Sequence, residues 1–138
     1  MRASSSQDRI EGGSEGRPAA PLPLLLAAWL IPGLGHLILG KKNRAAVFAA
    51  VIAASFLTGV VLHGALAVPQ PGAPFSWLAF LACFGNGVLY IAGHLFGFGN
   101  GTAVTAGFGY GNTFFITAGL MNLLAVLDVS DISKGAKD

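Results

Sequence analysis

Between Ala45 and Leu127 the chain runs for 83 residues without a single Asp, Glu, Lys or Arg. No water-soluble surface can be built from such a stretch, since soluble domains carry charge on about a quarter of their residues. Over the whole chain 10% of residues are charged and 54% apolar, with a mean hydropathy of +0.68. That hydrophobicity excludes an intrinsically disordered chain, and the lack of a glycine triplet period excludes collagen. The lone Cys83 excludes a disulfide scaffold and reads as an inert buried thiol. The medium that fits this segment is lipid, and the fold class that follows is all-α, an integral membrane bundle.

A helix needs about 20 apolar residues to cross a hydrocarbon layer of roughly 30 Å. Four such segments fit the chain, at 22–39, 45–68, 75–98 and 113–127, giving a transmembrane domain over 21–129. Residues 1–20, polar and rich in Ser, Gly and charge, read as a disordered tail, and 130–138 as a polar C-terminal tail. The first apolar core begins only at Leu22 and continues to Leu39, so it reads as a retained helix rather than a cleaved signal. Pro32 removes a backbone donor and crowds the preceding turn. This helix is therefore expected to kink there, as a bent span or as a short helix followed by a re-entrant turn. Lys41-Lys42-Asn43-Arg44 then makes a polar turn.

In span two, Ala46, Ala50, Ala54 and Thr58 recur every fourth residue, as do Ala45, Ala49 and Ala53. Stripes of small residues let helices approach closely, so they are expected to mark the packed face. Pro69 to Pro74 reads as an extended turn, and Phe75 and Trp77 suit a membrane interface. The glycine-dense stretch from Gly97 to Asn112 reads as a loop or as a helix start packed against protein. Four crossings put both termini on one side. Arg2, Arg9, Arg17, Lys134 and Lys137 then oppose Lys41, Lys42 and Arg44, a balance that favours cytoplasmic termini.

Three histidines occur, one in each of the first three spans. On the zigzag, His36 and His94 lie near one membrane face and His63 toward the other. Gly35-His36-Leu37 and Gly93-His94-Leu95 echo each other, each with glycines downstream. Two parallel helices could thus bring a pair of imidazoles together around haem or another metal. No CxxCH attachment motif and no carboxylate partner supports that cofactor reading, and the plainer one, a helix-end His bonded to a carbonyl, is preferred. Asn86 and Asn122 are the other strongly polar groups at depth. They should face the interior as interhelical glue, or line a path for a small solute. Asp128 reads as a helix-end charge at the interface.

Enzymatic chemistry finds little to stand on. The sequence shows no paired carboxylates, no Ser/His/Asp or Cys/His set at helical spacing and no His-Glu metalloprotease motif, so no catalytic residue, metal site or cofactor is assigned. GFGNG and GFGYGN contain the GxG element of nucleotide loops without the preceding strand or an acidic partner. No basic stripe on a soluble face exists to hold nucleic acid.

The segment from Ala28 to Ala45, AWLIPGLGHLILGKKNRA, resembles a PGxGHxxLG-basic signature of small bacterial membrane proteins. Its layout is similar to the two-transmembrane-helix domain, in which a glycine-rich hinge and a basic turn join two helices. Ala118 to Asp128 resembles the closing helix of an uncharacterised bacterial family of small four-span proteins. These segments cover about a quarter of the chain. Ile38-Leu39 stands where the two-helix domain commonly has an aromatic pair, and two further spans are added. The resemblance implies a bacterial inner-membrane location and a structural hinge at Pro32, Gly33, Gly35 and Gly40, with no chemistry attached. The reading that follows is a non-enzymatic structural or accessory membrane protein. Its partners would be the lipid bilayer and a homo-oligomer or larger membrane complex, met through small-residue faces. The alternative is a haem-, metal- or solute-handling protein using His36 and His94.

Overall fold

The computed structural model describes residues 20–135. The disordered tail expected over 1–20 lies outside them but for Ala20, as do the last three residues of the polar tail. Six helices occur among the described residues: α1 Leu22–Leu30, α2 Leu34–Ile38, α3 Lys42–Val61, α4 Pro74–Phe84, α5 Val88–Phe96 and α6 Phe108–Ser133. The only β feature among them is an isolated antiparallel bridge between Ala65 and Asn100.

The long helices α3 and α6 pack antiparallel, and their register is fixed at three levels. Arg44 meets Asp128 at one end, Phe56 meets Phe115 with ring centroids 5.0 Å apart, and Gly59 abuts Gly111 at the other end. At 1.5 Å per residue the 20 residues of α3 rise about 30 Å, the thickness of a hydrocarbon core. These two helices are long and apolar enough to cross a membrane.

The remaining four helices form two broken units. Each opens with a proline at its first or second position, where the missing N–H has no helical partner to lose. Each is interrupted after about ten residues. Pro32 stops α1, and Gly33 at φ 85° starts α2, while Gly87 at φ 60° starts α5 after the turn Gly85-Asn86-Gly87. Positive φ costs little only for glycine.

Contacts show where each unit goes. In α1, Leu24 packs with Val129 near the Lys41 end of the bundle, and Trp29 reaches the level of Asn122 in the middle of α6. α2 then comes back, setting Gly35 against Ala28 and Val129 and His36 against Asp128. α4 descends from the Val61 end alongside α6, with Ala82 against Gly119. α5 is bent by 105° from α4, and its far end lies toward the Val61 end. There Gly93 meets Leu66 and Phe56, and the following loop pairs with 64–66 through Leu66 N–H to Gly99 O (2.8 Å) and Gly101 N–H to Gly64 O (3.2 Å). Hairpin one (α1–α2) therefore starts and ends at the Lys41 end, and hairpin two (α4–α5) starts and ends at the Val61 end.

The four full spans expected from hydropathy thus reduce to two long apolar helices, or three if the bent α4–α5 pair is counted as one span. Hydropathy registers apolar length and not direction, so a helix that turns back at mid-depth scores like one that continues. The boundaries shift as well. Helix α3 ends at Val61, short of the expected Val68, and α6 runs from Phe108 to Ser133, taking in residues 130–133 of the expected polar tail. Of the two forms expected for the first segment, the structure shows the short helix followed by a turn, with the break at residues 31–33. Of the two alanine stripes on α3, the one beginning at Ala45 faces inward, with Gly33 against Ala45 and Ala49. Ala46, Ala50 and Ala54 are exposed.

Candidate functional site

A broken helix leaves carbonyls without the amide four residues on, and in an apolar interior each bare carbonyl is costly. The tips of the two hairpins meet in the middle of the bundle, and side chains answer that demand there. Asn122 of α6 donates through Nδ2 to Trp29 O in hairpin one and to Gly85 O in hairpin two, each at 2.8 Å. Trp29 Nε1 donates to Phe84 O at 3.1 Å, its ring 4.9 Å from that of Phe84. Asn86 Nδ2 donates to Cys83 O at 2.9 Å and Phe115 O at 3.0 Å. Both asparagines are fully buried. Gly87 closes the junction, because a methyl group there would overlap the carbonyl oxygens of Trp29 and Leu30.

A second polar cluster sits at the Lys41 end. His36 is fully buried, its ring stacked on Phe48 at 4.9 Å, and its Nε2 lies 2.8 Å from Asp128 Oδ2. An ionised carboxylate only accepts, so Nε2–H is the donor. Arg44 Nη1 donates to the same oxygen at 3.4 Å. The Asp128 side chain is 13% exposed and that of Arg44 43%. Asp128 thereby fastens α2 and α3 to α6. His36 Nδ1, Asn86 Oδ1 and Asn122 Oδ1 have no hydrogen-bond partner among the described residues.

The structure does not bring His36 and His94 together. His94 is exposed and lies beside Tyr90, with ring centroids 4.6 Å apart. It belongs to the Val61 end together with His63, because α5 turns back instead of crossing. The zigzag that paired it with His36 assumed a crossing. No group of three His, Cys, Asp or Glu side chains able to hold a metal occurs among the described residues. From the sequence, His36 is expected to lack a carboxylate partner and Asp128 to sit at a helix end. Asp128 instead lies within α6, five residues before its last residue, and is that carboxylate. A signal existed: Asn122, Ala125 and Val129 step along one face at helical spacing, and Asp128 is three residues beyond Ala125 at that face's edge.

Of the hinge residues, Pro32 and Gly33 form the break, and Gly35 is the close approach between α2, α1 and α6. Gly40, at φ 77°, has open space around it and serves only the turn into α3.

The chain belongs to a family of unknown function (DUF6677), which matches residues 23–138 and so takes in both hairpins and both long helices. No curated protein and no solved structure matches it. The expectation of an uncharacterised family holds at that level, and the family assignment carries neither a span count nor the PGxGHxxLG signature.

Proposed function

We propose that this chain is a multi-pass protein of the bacterial inner membrane, a non-enzymatic structural or accessory component. In this reading α3 and α6 cross the bilayer and the two hairpins enter it from opposite faces. The observation that carries it is the use made of the deepest donors: both N–H groups of Asn122 and both of Asn86 are spent on backbone carbonyls. Polar groups at depth then serve to close the fold, and the outward Ala46–Ala50–Ala54 face is left for a neighbouring helix.

The hairpin topology sharpens the orientation. Lys41, Lys42, Arg44 and Lys134 share one end of the bundle, whereas the other end, between Leu62 and Gly107, carries no charged residue. Positive-inside bias assigns the Lys41 end, and with it both termini, to the cytoplasm.

A second reading, passage of a small solute, draws on two broken helices meeting at mid-depth, which is where many transporters bind substrate. Proteoliposomes separate the two. The accessory reading expects solute release no faster than from empty vesicles, a colourless metal-free protein, and migration of the chain in native gels of membranes as part of a larger assembly. Release above background that is lost in Asn122→Leu, or a Soret band lost in His36→Ala or His94→Ala, would overturn it.

A further inference from the structure

At the Lys41 end, α3 and α6 line an open groove of about 580 Å³, formed by Arg44, Phe48, Leu124, Leu127, Asp128 and Asp131. That volume falls within the range of about 300–1,000 Å³ typical of small-molecule sites. Its composition is divided. Phe48, Leu124 and Leu127 make an apolar wall on the bilayer side of the groove, and Leu124 and Leu127 are more than half exposed. Arg44 lies in the first turn of α3 and Asp131 in the last turn of α6, so both belong to the part of the lining nearest the helix ends. Asp128 is held by His36 of α2 at 2.8 Å and, through the single atom Nη1, by Arg44 of α3 at 3.4 Å, which leaves the other donors of the 43% exposed Arg44 side chain to a ligand. Asp131, one turn further along α6, is exposed and forms no ion pair among the described residues.

The groove thus presents one guanidinium and one additional carboxylate above an apolar wall, at the depth of lipid headgroups. From this charge pattern, and resting on the membrane reading above, we infer that it holds a phospholipid whose headgroup carries a primary ammonium. Arg44 takes the phosphate, which it fits as a planar fork of donors. Asp131 takes the ammonium, and an acyl chain lies along Phe48, Leu124 and Leu127. A purely anionic headgroup brings no cation to meet Asp131. A choline headgroup has no N–H to give Asp131.

The test uses the full chain in detergent, titrated with phosphatidylethanolamine, phosphatidylcholine or phosphatidylglycerol of identical acyl chains and followed by native mass spectrometry and melting temperature. Phosphatidylethanolamine should be retained about tenfold more than either of the others, the equilibrium worth of one charge-assisted hydrogen bond. Asp131→Asn should erase its margin over phosphatidylcholine while leaving the lipid-free melting temperature unchanged. Arg44→Gln should weaken all three. Equal retention of the three lipids, a preference for phosphatidylglycerol, or a preference that survives Asp131→Asn would overturn the inference. A chain that stays monodisperse without detergent would instead overturn the membrane reading beneath it.

Discussion

Hairpin one and hairpin two both stop half-way along α6, but they are held there by different forces. The returning arm of hairpin one has five residues and is fastened by charge, through His36, Asp128 and Arg44. The returning arm of hairpin two has nine and is fastened by rings and close backbone contact. Tyr90 sits against Phe80 and Phe84 and donates its hydroxyl to Ala67 O at 3.1 Å, and Gly93 leaves room for Leu66. The difference follows from where charge occurs in the chain. Hairpin one lies beside the basic turn and the end of α6, so a carboxylate is within reach of its returning arm. Hairpin two lies wholly within the uncharged run, where only amides, hydroxyls and glycine can close a broken helix.

The strongest way to break the comparison is at the junction the hairpins share. Gly87→Val adds a branched side chain at positive φ against two carbonyl oxygens, and should cost about 3 kcal/mol or more, leaving little folded protein on detergent size-exclusion. Asp128→Ala should cost about 1–3 kcal/mol by leaving the buried Nε2–H of His36 without an acceptor. Hydrogen exchange should then rise in 34–38 and stay low in 88–96, and an equal rise in both would dissolve the distinction between the hairpins. Gly35→Leu, whose first added carbon would lie 2.5 Å from Ala28 Cβ and 2.8 Å from Val129, should cost about 1–3 kcal/mol and exceed the cost of Leu34→Ala. Equal melting temperatures for those two variants would remove the close approach from the account. Smallest is the amide pair. Asn122→Ala should loosen both hairpins by about 1–2 kcal/mol, while Asn86→Ala should raise exchange in hairpin two alone.

Helical class and the burial of Asn86 and Asn122 could be read from the sequence, because an uncharged run and isolated amides within it have few other places to go. The break at Pro32 was legible too, since proline chemistry is local. The turn at Gly85-Asn86-Gly87 is marked in the sequence only by two glycines flanking a helix-disfavouring residue, a weaker signal than a proline. Direction was hidden for a different reason. Whether a chain continues or returns after a break is decided by contacts far away in sequence, such as Trp29 with Phe84, 55 residues apart, and His36 with Asp128, 92 residues apart. Local hydropathy holds no trace of them.

The central claim, that the hairpins return to the ends they came from, is tested most directly by which side of the membrane the connecting turns occupy. With buried Cys83 replaced by Ala, single cysteines at the exposed positions Asn43, Gln70 and Thr102 can be labelled on intact cells with a membrane-impermeant maleimide. Two returning hairpins require Gln70→Cys and Thr102→Cys to react together while Asn43→Cys stays protected with the termini. Labelling of Asn43→Cys and Thr102→Cys together, with Gln70→Cys protected, would mean four full crossings and contradict the account.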